Sequence, residues 1–204
     1  MVVTDKKREQ IIDGAIRRFI HFGINKTTMN EIAEDLSVSK PSLYYYFPDK
    51  SSLVVGVVER IFSDYFEMMS GEFKKEGAIT DALGRLVEVR NNFFQKYYML
   101  HLSQGVADTQ INLEAIKPKM EKMRIKERVL YEQVLEWGIA KGEIREINVK
   151  RVAELYIDSL NGITSLCIMH AGKDIFPTKK DFKAIVEKQK ELSEIFINGI
   201  TARS

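Results

Sequence analysis

One cysteine, Cys167, stands among 204 residues. An internal disulfide is therefore excluded, and a reduced, cytoplasmic setting is expected. Four prolines in the whole chain leave room for long uninterrupted helices. No apolar run approaches the roughly 18 residues that a membrane span needs. The opening MVVTDKKREQ is not followed by the apolar stretch of a secretory leader. Membrane insertion is not expected. The histidines His21, His101 and His170 are scattered, without HExxH or compact His/Cys spacing, so no metal site is expected. Gly71, Gly77 and Gly84 are spread too widely to form a phosphate-cradling loop. No nucleophile pattern surrounds Cys167, and the expectation is a chain with no catalytic residues and no cofactor.

Charge of one sign is also scarce. Basic residues number 31 and acidic residues 29, for a net charge of +2. Residues 1–50 carry eight basic and seven acidic side chains, and eight minus seven leaves +1. Bulk charge therefore announces no nucleic-acid partner, and any such site must arise from local placement.

Helical periodicity is plentiful. Ile11, Ile12, Ala15, Ile16, Phe19 and Ile20 recur at helix spacing and predict a first helix over 6–21, stopped by Gly23. Thr28 with Glu31 three positions on reads as a capping box opening a short helix over 28–35, with Met29, Ile32 and Ala33 inward. Ser39 can cap a third helix with Pro41 in its first turn, ending near Tyr45 or Tyr46. Asp49 can cap a longer fourth helix over 50–69. Further helices are predicted from near Ile79 to Tyr98, over 102–110, over 114–140 with Pro118 near the start, over 149–170 and over 179–199. The fold class is all-α, with about nine helices and no strand.

Two short helices joined by a tight turn can place the second in a DNA major groove. Its N-terminal side chains, Lys40, Pro41 and Ser42, would then reach base edges. Lys40 can donate to guanine, Ser42 serves several edges, and Pro41 can meet a thymine methyl. Leu43 is the expected inward anchor, with Phe47 one turn on. Successive helical residues point about 100° apart, so Tyr44, Tyr45 and Tyr46 cannot share a face. One is expected toward the core and two toward DNA or solvent.

The ordered pattern IIDGAIRRFIHFGINKTTMNEIAEDLSVSKPSLYYYFPDKSSL resembles the N-terminal domain of the TetR family of bacterial transcriptional regulators. The likeness is carried by Ala15, Phe19, Gly23, Thr27, Thr28, Ile32, Ala33, Val38, Ser39, Leu43, Tyr44, Phe47, Lys50 and Leu53 in that order and spacing. The resemblance implies that Thr28, Tyr44 and Lys50 contact DNA phosphates. It implies that Lys40, Ser42 and Tyr45 lie where variable base-facing residues fall. Tyr46 occupies a position often held by histidine, Leu36 one where a small residue is common, and Pro41 one where glycine is frequent.

The resemblance further implies a DNA-binding domain over 1–50 and a helical ligand-binding and dimerisation domain over 51–204. The partners implied are double-stranded operator DNA, a second copy of the chain and a mostly apolar small-molecule effector. Val152, Leu155, Tyr156, Ser159, Leu160, Ile163, Leu192, Ile195, Phe196 and Ile200 are the candidate dimer faces. NNFFQKYYMLHL over 91–102, with Met120, Met123, Tyr131 and Trp137, suits a pocket but suits ordinary core packing better, so no ligand-binding residue is assigned. The expected function is a sequence-specific, ligand-released transcriptional repressor acting as a homodimer. The alternative is a helical small-molecule-binding or interaction protein without specific DNA binding.

Overall fold

The computed structural model describes residues 5–73, 77–98, 113–170 and 177–202. Among them are eight helices: α1 (Lys6–Phe22), α2 (Met29–Asp35), α3 (Lys40–Tyr46), α4 (Lys50–Phe73), α5 (Ile79–Lys96), α6 (Leu113–Ala140), α7 (Val149–His170) and α8 (Lys179–Ile200). An isolated antiparallel bridge joins Ile144 and Thr201. The helix expected over 102–110 lies outside the described residues.

Two compact units result. The first takes the described residues of 1–64 and 96–122, and the second those of 65–95 and 123–204. Helix α4 is continuous from Lys50 to Phe73 and so belongs to both.

The core of the first unit is built from Ile11, Ile12, Ala15 and Phe19 of α1, Ile32 and Ala33 of α2, Leu43 of α3, and Leu53, Val54 and Val57 of α4, each at 2% exposure or less. Gly14 of α1 lets Leu36 approach closely: a Cβ at Gly14 would lie 2.7 Å from a Leu36 methyl carbon. Arg60 of α4 ties back to Glu9 of α1 at 2.5 Å and to Asp64 at 3.1 Å.

In the second unit, buried polar groups are stitched together. Asn91 of α5 donates to Gln189 of α8 at 2.6 Å, and Gln189 donates to the Leu160 carbonyl of α7 at 2.7 Å and to the Thr164 hydroxyl at 2.9 Å. The hydroxyls of Tyr156 and Ser193 are 2.6 Å apart, again joining α7 to α8. Gly138 leaves room for Ile79 and Ile144, whose methyl carbons would both lie 2.7 Å from a Cβ there.

Several apolar expectations are corrected by this packing. Val129 of α6, although apolar, is 39% exposed. Tyr156, Leu160 and Ile200, candidates for a dimer face, are buried within their own chain at 2%, 0% and 8% exposure. The broad apolar stripe on each helix exceeds the width that one seam covers, and these residues occupy its inward edge. Leu155 and Ile195 remain exposed, together with Leu166 and Met169, which sequence reading did not single out.

Candidate DNA-binding site

Helix α2 is held at both ends. Thr28 caps it: its hydroxyl accepts from the Glu31 amide at 3.3 Å, and the Glu31 carboxylate accepts from the Thr28 amide at 2.8 Å and hydroxyl at 2.9 Å. Arg18 of α1 then reaches across, pairing with Glu31 at 2.8 Å and Asp35 at 2.7 Å, and stacks on Phe22. The Thr28 amide, then its hydroxyl, then Arg18 hold the Glu31 carboxyl below its usual range. Arg18 went unnoticed in the sequence because its two partners lie 13 and 17 residues away.

The turn after α2 has the hydrogen bonds of a Schellman motif. The Val38 amide donates to the Ala33 carbonyl at 2.9 Å, and the Ser37 amide donates to Glu34 at 3.0 Å. Ser37 takes a left-handed backbone, φ 51°, at the position that usually favours glycine. Sequence reading sought the small residue at Leu36. Leu36 is instead right-handed, and its side chain fills the space over Gly14.

Helix α3 opens as expected. The Ser39 hydroxyl accepts from the Ser42 amide at 3.3 Å, and Pro41 lies in the first turn. Leu43 and Phe47, one turn apart, are buried at 0% and 2% exposure. The opposite face carries Lys40, Pro41, Tyr44 and Tyr45, all exposed, with Tyr44 at 44% and Tyr45 at 81%. Their spacing of i, i+1, i+4 and i+5 makes one continuous strip. Ser42 and Tyr46 flank it, half-buried. Tyr46 is the inward tyrosine: burial and its hydrogen bond to Asp5, the cap of α1, push its phenol up.

Lys50, the first residue of α4, differs from Lys40. It is only 7% exposed, although lysine is ordinarily a surface residue. Asp49 caps the same helix, accepting from the Ser52 amide at 2.6 Å.

Local placement resolves the near-neutral charge. Six of the seven carboxylates in residues 1–50 are turned to structural work: Asp5 and Asp49 cap helices, Glu9 and Asp13 face Arg60, and Glu31 and Asp35 hold Arg18. Helix α3 itself contains no acidic residue, so its exposed strip presents Lys40 and tyrosine hydroxyls.

The second unit carries a charged cluster of its own. Arg90 of α5 donates from Nη1 to Glu127 of α6 and from Nη2 to Asn161 of α7. The Tyr65 hydroxyl of α4 donates to the same Glu127 oxygen at 2.6 Å. Burial opposes the Arg90 charge most strongly, but Glu127, Tyr65 and Tyr131 together outweigh it and hold the guanidinium above its ordinary range. Burial, then Glu127, pushes the Tyr65 phenol well up. Tyr131, one turn beyond Glu127, is 1% exposed, and its hydroxyl has no hydrogen-bond partner among the described residues. Burial likewise pushes its phenol well up.

An all-α chain whose second and third helices form a capped helix-turn-helix with a polar, acid-free outer strip is a DNA-binding transcriptional regulator. The family described as "Bacterial regulatory proteins, tetR family" matches residues 11–57, and the family described as "QacR-like protein, C-terminal region" matches residues 74–202. The chain belongs to the TetR family of bacterial regulators. It is 20% identical over 168 residues to the fatty acid metabolism regulator protein of Bacillus subtilis, covering 82% of this chain and 86% of that protein. A transcriptional regulator from Cytophaga hutchinsonii shares its fold at TM-score 0.84 and 28% identity, over 96% of this chain and 99% of that one. FadR from Bacillus subtilis, solved with stearoyl-CoA, matches at TM-score 0.69 and 19% identity, over 94% and 98% of the two chains. A regulator from Saccharomonospora viridis, solved with choline, matches at 0.72 and 16%, over 97% and 99%. No helix among the described residues is long and apolar enough to cross a membrane.

Proposed function

We propose that the chain is a ligand-released repressor that grips a palindromic operator as a homodimer. The observation that carries this reading is the outer strip of α3, with Lys40, Pro41, Tyr44 and Tyr45 exposed together above the buried anchors Leu43 and Phe47. Lys40, Pro41, Ser42 and Tyr45 face bases, with Lys40 the principal discriminator. Thr28, Tyr44 and Lys50 contact phosphates and set the register. Thr28 reaches a phosphate by redirecting a hydroxyl that now donates to Glu31. Lys50 does so by extending from its 7% exposed position. Residues 1–50 form the DNA-binding domain and 51–204 the ligand-binding and dimerisation domain.

Dimerisation is supported by an apolar face left open on α7 and α8. Leu155, Leu166, Met169 and Ile195 are 47%, 54%, 73% and 69% exposed. Along α7, positions 155, 159, 162, 166 and 169 step by four and three residues, the spacing of a helix–helix seam, and Gly162 has open space before it. Two reading heads then address major grooves about 34–36 Å apart.

Regulation by a small, mostly apolar molecule is supported by family membership and by the size of the second unit. The neighbours solved with stearoyl-CoA and with choline hold ligands of opposite charge on one fold. The fold therefore does not choose the ligand; the residues do. The test is a gel shift on genomic fragments selected by the purified protein. Specific retention that survives competitor DNA supports the reading. Equal retention of all fragments, or none, contradicts it.

A further inference from the structure

The exposed strip of α3 divides into two rows. Lys40 and Tyr44, one turn apart, present an ammonium and a hydroxyl; Pro41 and Tyr45, also one turn apart, set two rings in line. Tyr45 is 81% exposed. A ring that open to water ordinarily turns among its rotamers on a fast timescale. This one leans on its neighbour instead. The Tyr46 ring stands edge-to-face against it, with centroids 5.1 Å apart and planes at 88°.

Tyr46 is fixed in turn. It is half-buried, and its hydroxyl donates to the Asp5 carboxylate. Asp5 is itself committed to capping α1, where it accepts from the Lys7 amide at 3.0 Å and the Arg8 amide at 3.4 Å. A second tie lies beside the first: the Arg8 guanidinium sits 5.2 Å from the centroid of the Phe47 ring. The start of α1 and the end of α3 are thus fastened at two adjacent points. The contacts run from the cap of α1, through the Tyr46 phenol, to the exposed ring of Tyr45. Keeping the two rings together restricts the rotamers of Tyr45, so part of the cost of ordering it is met before DNA arrives.

We propose that Tyr46, held by Asp5, is a positioning residue that sets the ring of Tyr45 against the 5-methyl group of a thymine in the operator. This deepens the reading of α3 as the recognition helix and rests on it. The thymine methyl is the apolar feature that a base pair presents in the major groove, and an aromatic ring is a suitable partner for it. Such a contact has no directed hydrogen bond to guide it, so its strength follows from where the ring is already held. Tyr46 touches no base; it acts through Tyr45.

The test is binding of synthetic duplexes of a selected genomic site in which each thymidine is replaced in turn by deoxyuridine. The exchange removes the 5-methyl and leaves every hydrogen-bonding group in place. Wild type should lose roughly fourfold in affinity at one symmetry-related pair of positions, the worth of one buried methyl. Tyr45→Ala should abolish that difference and leave the other positions as they were. Tyr46→Leu, which keeps bulk and loses the ring, should shrink it to below about twofold. Tyr46→Phe keeps the ring and loses the hydroxyl, and should fall between Tyr46→Leu and wild type. Asp5→Ser keeps the cap of α1, but its one oxygen is taken by that cap, so it should match Tyr46→Phe. Those two variants decide the matter if Tyr46→Leu does not fold. A methyl effect that stays at its wild-type size in the Tyr46 and Asp5 variants overturns the proposal, as does one that survives Tyr45→Ala. Uniform weakening of every duplex by Tyr46→Leu also overturns it and assigns Tyr46 to packing or to a phosphate. Base preference in wild type with no methyl effect at any thymine removes this proposal and leaves the regulator; equal binding of all sequences removes both.

Discussion

Leu36 lies where a side chain on Gly14 would have to go. A Cβ at Gly14 would stand 2.7, 2.8 and 2.9 Å from the two methyl carbons and Cγ of Leu36. The turn of the helix-turn-helix is thereby seated on α1. Alanine is worth up to ~1 kcal/mol more than glycine inside a helix. Gly14→Ala should nonetheless destabilise the protein by about 1–3 kcal/mol, the range for overpacking. In a Leu36→Ala background the same change should become stabilising. Denaturant midpoints for the four proteins check the reversal of sign; a loss in both backgrounds would show that Leu36 is not the obstacle.

Ser37 holds a left-handed backbone without being glycine or asparagine. Ser37→Gly should raise stability by about 0.5–1 kcal/mol, because relief of the left-handed cost exceeds the added freedom of the unfolded chain. A lower midpoint would mean that the serine side chain contributes more than the strain removes.

Thr28→Ala should cost about 1 kcal/mol of stability through the lost cap alone, before DNA is added. Glu31 supplies the pH signature. Its folded value is depressed below 4.5 by Thr28 and Arg18. Its contribution is therefore full above the unfolded value and is lost as pH falls through the folded one. Unfolding midpoints followed from pH 6 down to pH 3 should fall less steeply in Glu31→Gln than in wild type. Parallel curves would exclude Glu31 from the acid response.

Lys50→Ala should weaken specific and non-specific complexes together and reduce the salt slope by roughly one. At 7% exposure the residue also packs within the protein, so its melting temperature must be measured alongside. An unchanged slope at matched salt would assign Lys50 to packing rather than to phosphate.

Much of the first unit was legible because its signals are local. Caps at Thr28, Ser39 and Asp49 each need a side chain within three residues, and the Leu43–Phe47 anchor needs one turn. What sequence could not show depends on distant partners. Lys50 reads as a surface residue by type, and only the packing encloses it. A small residue of the turn was looked for at Leu36, whereas the left-handed backbone falls at Ser37, where the chain closes hydrogen bonds to Ala33 and Glu34. Arg90 and Glu127 lie 37 residues apart, and Asn91 and Gln189 lie 98 apart, on helices whose pairing no periodicity specifies. Likewise, Leu155 and Tyr156 are both apolar neighbours on one stripe, yet one faces out and the other in.

The most direct test of the recognition helix is a binding library built on a selected genomic fragment, varied one base pair at a time at a single salt concentration. Wild type should show two half-sites related by two-fold symmetry. Lys40→Ala should relax preference at one symmetry-related pair of positions, by roughly the 1–3 kcal/mol of a good base contact, while affinity for unrelated DNA falls much less. Uniform weakening at every position, or no change at any, would contradict base reading by Lys40 on α3.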